Sequence, residues 1–105
     1  FIEDLEVSNA ELIGEEGAGF KILLTGLNPE RVLFAAEAIG LGHAALRRAA
    51  QYAKERVVFG RPIGQNQGIQ HPLAKSWAEL EAANLLAFKA AALYDAGKEC
   101  GAEAN

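Results

Sequence analysis

The sequence predicts a mainly α-helical fold in which two long antiparallel helices follow a short β-strand. Three observations carry this. Apolar residues recur at helical spacing over Val32, Leu33, Ala35, Ala36, Ile39, Ala44, Leu46, Ala49, Ala50 and Ala53. The pattern repeats over Leu73, Trp77, Leu80, Ala83, Ala87, Ala90, Ala91 and Tyr94. Only a short polar connection separates the two, so the helices fold back on each other, and their many alanines let the axes approach closely.

Element by element, Phe1 to Val7 alternates loosely between apolar and acidic residues and reads as a short strand whose pairing partners lie outside the chain. Gly14-Glu15-Glu16-Gly17-Ala18-Gly19 is a turn region. Phe20, Leu23, Leu24 and Leu27 give one short amphipathic helix stopping near Gly26. Asn28-Pro29-Glu30 then reads as the start of the first long helix: Asn caps free backbone N–H groups, Pro suits the first helical position, and Glu complements the positive end of the dipole. That helix is expected to run to about Val58, with Gly40 and Gly42 as weak points, until Phe59-Gly60-Arg61-Pro62 ends it. Gln65 to Gln70 is the connection, and the second long helix is expected from Leu73 to Gly97, because Pro72 fits only a first turn. Ala102 to Asn105 reads as the beginning of a further element.

The 105 residues carry 10 Lys and Arg against 14 Asp and Glu, a net charge of −4, with 50% hydrophobic residues. A chain of this size supports one modest core. Without a clustered basic run there is no electrostatic footprint for nucleic acid or for an anionic membrane surface, so neither partner is expected. No apolar run approaches the roughly 20 residues of a spanning helix. Cys100 is the single cysteine, which excludes an internal disulfide and a Cys-based zinc site. A chain opening Phe-Ile-Glu-Asp, with no Met anywhere, reads as a piece of a longer polypeptide.

Few residues offer chemistry by type and spacing. His43 and His71 have no second ligand at metal spacing, so no metal site is expected. Two glutamates inside Gly14–Gly19 argue against a phosphate cradle. Glu30 would act as a base near neutral pH only in a desolvated setting; otherwise it complements the helix dipole together with Arg31. The segment Arg56-Val57-Val58-Phe59-Gly60-Arg61-Pro62-Ile63, followed by Gln67 and Gln70, combines a guanidinium, an aromatic beside a Gly-Pro turn, and amides. Such a set grips an anionic, ring-bearing ligand through charge-assisted and amide hydrogen bonds, or else simply caps a helix.

That segment resembles the Arg-x-x-Phe-Gly-x-Pro-Ile...Gln...Gln signature of the acyl-CoA dehydrogenase family. Leu12 to Phe20 is similar to the family's passage from its middle β-domain to its C-terminal helical domain, and Glu30-Arg31, Ala35-Ala36, Gly40 and Gly42 resemble the first long helix there. The resemblance implies that residues 1–14 end the middle β-domain. It further implies that 15–105 form the N-terminal part of a C-terminal four-helix bundle. It implies FAD as cofactor: Arg56 and Phe59 would contact a flavin bound mainly by a neighbouring subunit, and Gln67 would bond toward its adenosine part. Val58 departs from a position commonly bearing a hydroxyl or amide. Arg31 would lie by the CoA portion of the substrate, and Asn28 stands where the family often has an acidic residue. The family's base is usually a Glu further along the chain, while isovaleryl- and long-chain-type members place it at the position of Glu30, the catalytic residue expected here. The implied reaction is oxidation of an acyl-CoA to a trans-2-enoyl-CoA within fatty acid metabolism, with electrons passed to electron-transfer flavoprotein. A dimer of dimers in the bacterial cytoplasm or mitochondrial matrix is implied as well. The rivals are an acyl-CoA oxidase or flavin monooxygenase relative, and a helical interaction module without flavin.

Overall fold

A computed structural model describes all residues, 1–105. It is dominated by a long helical hairpin. Helix α1 spans Gly19–Glu55, strands β1 (Val57–Val58) and β2 (Arg61–Pro62) form a small antiparallel pair, helix α2 spans Gln67–Asp95, and a short helix α3 covers Gly101–Ala104. No helix is long and apolar enough to cross a membrane.

The mainly helical, antiparallel architecture follows the expected spacing, but several boundaries differ. Residues 1–7 do not form a strand: the stretch is unpaired, with a left-handed Asp4 (φ 51°), and no neighbouring strand takes up its backbone groups. A short 3₁₀ turn at Asn9–Glu11 follows, where the Ser8 hydroxyl accepts from the Ala10 N–H and the Glu11 carboxylate accepts from the Ser8 N–H.

Asn28-Pro29-Glu30 does not start a helix either, because α1 runs through Pro29 without interruption. Proline removes one hydrogen bond, here the one that the Thr25 carbonyl would accept. The apolar register of Leu24, Val32, Ala35 and Ile39 continues across it, and the resulting packing holds the helix together. The first long helix ends at Glu55 rather than near Val58, since Val57 and Val58 enter the hairpin. Helix α2 starts six residues before Leu73: the Asn66 carbonyl accepts from the N–H groups of Ile69 (2.9 Å) and Gln70 (3.0 Å), and Pro72 is carried in the second turn. Its C-terminus closes at Gly97 (φ 66°), with Lys98 N–H donating to the Leu93 carbonyl (2.9 Å) and Gly97 N–H to that of Tyr94 (2.9 Å).

Small residues set the helix pairing. A Cβ on Gly42 would stand 2.5 Å from Leu80 Cδ2, so the Leu80 side chain fills the space that glycine leaves. A Cβ on Gly64 would stand 2.9 Å from the Ala53 carbonyl oxygen, a backbone atom that cannot swing aside. Gly64→Ala is therefore expected to cost about 1–3 kcal/mol of stability, read from the urea midpoint of the full-length protein.

Only Ile39, Ala53, Ala90 and Cys100 are buried, and the radius of gyration is 22.5 Å against the ~13 Å of a compact 100-residue domain. Helix α1 shows why. Its α2-facing row is matched on the opposite side by exposed Leu23, Phe34, Leu41 and Tyr52, a helix apolar on two sides.

Helix α3 docks beside the hairpin through Lys89 Nζ and Glu103 Oε1 at 2.9 Å. The hydrogen bond from Lys89, then that from Glu103's own backbone, holds the Glu103 carboxyl below its ordinary value. A folded-state value below the unfolded one gives stabilisation that is present above the ordinary carboxylate range and is lost as pH falls through the lower folded value. The amide chemical shifts of Ala102 and Ala104 are therefore expected to move toward coil values as the solution is acidified through that range.

Candidate functional site

The sequence-predicted residues fall into two groups at opposite ends of the hairpin. Arg56, Phe59 and Gln67 lie at the turn end, whereas Asn28, Glu30 and Arg31 lie near the other end of α1. At ~1.5 Å rise per residue, Glu30 and Arg56 are roughly 39 Å apart along that helix.

At the turn end, Arg56 caps α1, its N–H donating to the Tyr52 carbonyl at 2.8 Å. The pairs Val57↔Pro62 and Val58↔Arg61 leave Phe59-Gly60 as a two-residue turn with φ 53° and 79°. Positive φ at both central residues is the hairpin turn whose twist matches the flanking strands. Phe is a poor residue for such a conformation, which costs of the order of 1–3 kcal/mol, and its ring gains nothing by burial in exchange, being 101% exposed. The turn thus holds an aromatic ring outward against local preference. The Ile63 N–H donates to the Arg56 carbonyl (2.8 Å), tying the hairpin base.

Asn66 joins this hairpin to α2. Its amide does not cap the helix; Oδ1 accepts from Arg61 Nη2 (2.6 Å) and Nδ2 donates to the Ile63 carbonyl (3.1 Å). Gln70 Nε2 adds a bond to the Gly64 carbonyl (2.8 Å). Gln67, the first residue of α2, is left exposed beside these anchors. A guanidinium, an outward aromatic ring and a free amide on a locked scaffold suit an anionic ligand that also bears a flat ring. Sequence reasoning found Arg56, Phe59 and Gln67 but missed Asn66, whose type in front of a polar helix start was the available signal.

At the other end, Asn28 faces α2 and lines a polar recess of about 250 Å³ with Thr25, Tyr94, Lys98, Glu99 and Cys100. Arg31 is half-buried, its Nη1 donating to Asn28 Oδ1 at 3.2 Å. Glu30 lies two residues, or roughly 200° around the helix, from both Asn28 and Val32, and so projects from the side of α1 turned away from α2. Leu33 (71% exposed) and Phe34 (63% exposed) follow it one turn on, and Leu23 lies two turns before. The nearest neighbours of Glu30 on that side are thus apolar, and a second exposed carboxylate, Glu37, stands two turns on.

The remaining polar cluster is His43, half-buried at the helix interface, with Nε2 3.7 Å from Glu81 Oε1 and its ring edge-on to Trp77 at 5.6 Å. No group of three His, Cys, Asp or Glu side chains comes together as a metal site.

Comparison with known proteins gives the family of this apolar-surfaced helical hairpin. The family model described as acyl-CoA dehydrogenase, C-terminal domain, matches residues 17–105. An acyl-CoA dehydrogenase of Bacillus subtilis (strain 168) is 48% identical over 103 residues, 98% of this chain and 27% of that protein. Acyl-CoA dehydrogenase FadE12 of Mycobacterium tuberculosis (strain H37Rv) is 47% identical over 102 residues, 97% of this chain and 26% of that protein. Among solved structures, butyryl-CoA dehydrogenase from Megasphaera elsdenii superposes with a TM-score of 0.83 at 40% identity, covering 97% of this chain and 27% of that one. The chain belongs to the acyl-CoA dehydrogenase family, and it spans about a quarter of the length of these relatives.

Proposed function

We propose that the full-length protein is an FAD-dependent acyl-CoA dehydrogenase in which this segment supplies the base and part of the flavin and CoA contacts. The observation that carries the reading is the setting of Glu30, a carboxylate beside an apolar row of exposed Leu23, Leu33 and Phe34. Covered by the rest of the protein and an acyl chain, that row would keep water from the carboxylate, the enclosed setting in which a positioned base works.

In this reading Glu30 takes the α-proton of the acyl thioester. The flavin, when bound, supplies the acceptor for the hydride leaving the β-carbon, and the product is a trans-2-enoyl-CoA. Arg31, steadied by Asn28, faces the CoA portion. Arg56 would hold the flavin's pyrophosphate, Phe59 would offer its ring, and Gln67 would bond toward the adenosine part. The roughly 39 Å between Glu30 and Arg56 exceeds the span of one flavin dinucleotide. One chain therefore serves two sites: its Glu30 end works in one, and its hairpin end reaches the flavin of a neighbouring subunit. This requires a homo-oligomer, for which we propose a dimer of dimers. Electron-transfer flavoprotein is the proposed acceptor of the electrons, and the bacterial cytoplasm or mitochondrial matrix the proposed compartment.

The test is the purified full-length protein under anaerobic conditions. A yellow protein whose flavin bleaches on adding acyl-CoA, and recovers its colour with electron-transfer flavoprotein, fits the proposal. Peroxide formation on admitting air at the turnover rate would make it an oxidase, and a colourless protein would make it an interaction module.

A further inference from the structure

The reading above leaves Gly26 without a role. It sits inside the 37-residue α1, where glycine is a weaker helix former than alanine. Nothing within this chain accounts for it: its φ is not in the left-handed region, and a Cβ placed on it meets no atom of the chain within 4 Å. Gly42, by contrast, is explained by Leu80. Gly26 precedes Glu30 by four residues, so the two are neighbours on the face turned away from α2. Its neighbours there include the large exposed side chains of Leu23 and Leu33. A position without a side chain in such a row is a notch beside the carboxylate. The same turn lacks one helical hydrogen bond, because Pro29 has no N–H for the Thr25 carbonyl, and the Thr25 hydroxyl donates back to the Lys21 carbonyl (3.2 Å).

We propose that Gly26 is a specificity-determining residue whose notch admits an acyl group that is wide at the carbons next to the thioester, branched or cyclic rather than straight. This rests on Glu30 being the base, since only then does the notch lie beside the α-carbon. One added methyl in a fitted pocket discriminates by about 10- to 200-fold.

The experiment measures kcat/KM of the full-length enzyme and its Gly26→Ala and Gly26→Val variants with butyryl-CoA, 2-methylbutyryl-CoA and 3-methylbutyryl-CoA. Gly26→Ala is expected to lose about tenfold more with the branched thioesters than with butyryl-CoA, and Gly26→Val more again. Alanine is the better helix former, so an undiminished melting temperature separates this loss from unfolding. The same branched-to-straight ratio in all three proteins overturns the proposal, as does a wild-type enzyme that accepts only the straight chain. Glu30→Gln is read separately. If it abolishes flavin reduction while the ratio stays fixed, the base stands and the notch falls. If it leaves flavin reduction intact, Glu30 is not the base and the notch no longer lies beside the α-carbon, so the proposal falls even where the ratio shifts.

Discussion

Glu30→Gln in the full-length enzyme is expected to slow flavin reduction by acyl-CoA by about 10²- to 10⁴-fold, the contribution of a positioned general base. Glutamine keeps the size and hydrogen-bonding reach of the side chain but cannot accept the α-proton. Substrate binding should persist, because Asn28 and Arg31 are untouched and project from other sides of α1. The helix should persist as well, for Glu30 lies inside α1 rather than at its start. The dipole-complementing role that its sequence neighbours suggested is therefore weak, since that effect is confined to a helix's first turn. Anaerobic stopped-flow measurement of flavin bleaching decides the matter: a rate within a few-fold of wild type returns the base to a carboxylate elsewhere in the protein.

How far the sequence alone could reach is clearest at Pro29. Asn-Pro-Glu carries three start signals, and each is physically sound, yet the helix runs through them. A proline costs one hydrogen bond and some strain, a local penalty, whereas the apolar register of α1 continues from Leu24 past Ile39 and is rewarded along the whole interface. Local signals can be read from local residues; their defeat by tertiary packing cannot. The same limit hid the fate of Phe1 to Val7, where alternation shows strand propensity but pairing depends on partners that the chain does not contain. The hairpin was legible in part. Gly60 and Pro62 marked the turn, but pairing of Val57 and Val58 with Pro62 and Arg61 depends on a left-handed Phe59, which sequence preference argues against. Among the site residues, type and spacing picked out Arg56, Phe59 and Gln67 as one group, and the fold gathers them at one end. That Glu30 faces away from α2 follows from helical geometry only once α1 is known to be continuous.

Arg56→Ala is expected to weaken FAD retention by the full-length enzyme about tenfold to a hundredfold. A guanidinium on a pyrophosphate makes charge-assisted hydrogen bonds worth about 1.5–3 kcal/mol, and these are lost without replacement. The substitution leaves the local fold in place. Arg56 holds the hairpin base through its backbone alone, its N–H on the Tyr52 carbonyl and its carbonyl accepting from Ile63, and alanine keeps both bonds. If Arg56 merely complemented the α1 dipole, the loss would be about 0.3–1 kcal/mol of stability with flavin affinity unchanged. Because the hairpin lies roughly 39 Å from Glu30, the variant reloaded with saturating FAD should reduce its flavin at nearly the wild-type rate. Equilibrium dialysis of FAD and the reduction rate of the saturated enzyme together decide it. Weaker retention with an intact rate assigns Arg56 to the cofactor of a neighbouring subunit, whereas unchanged retention leaves it as a helix cap.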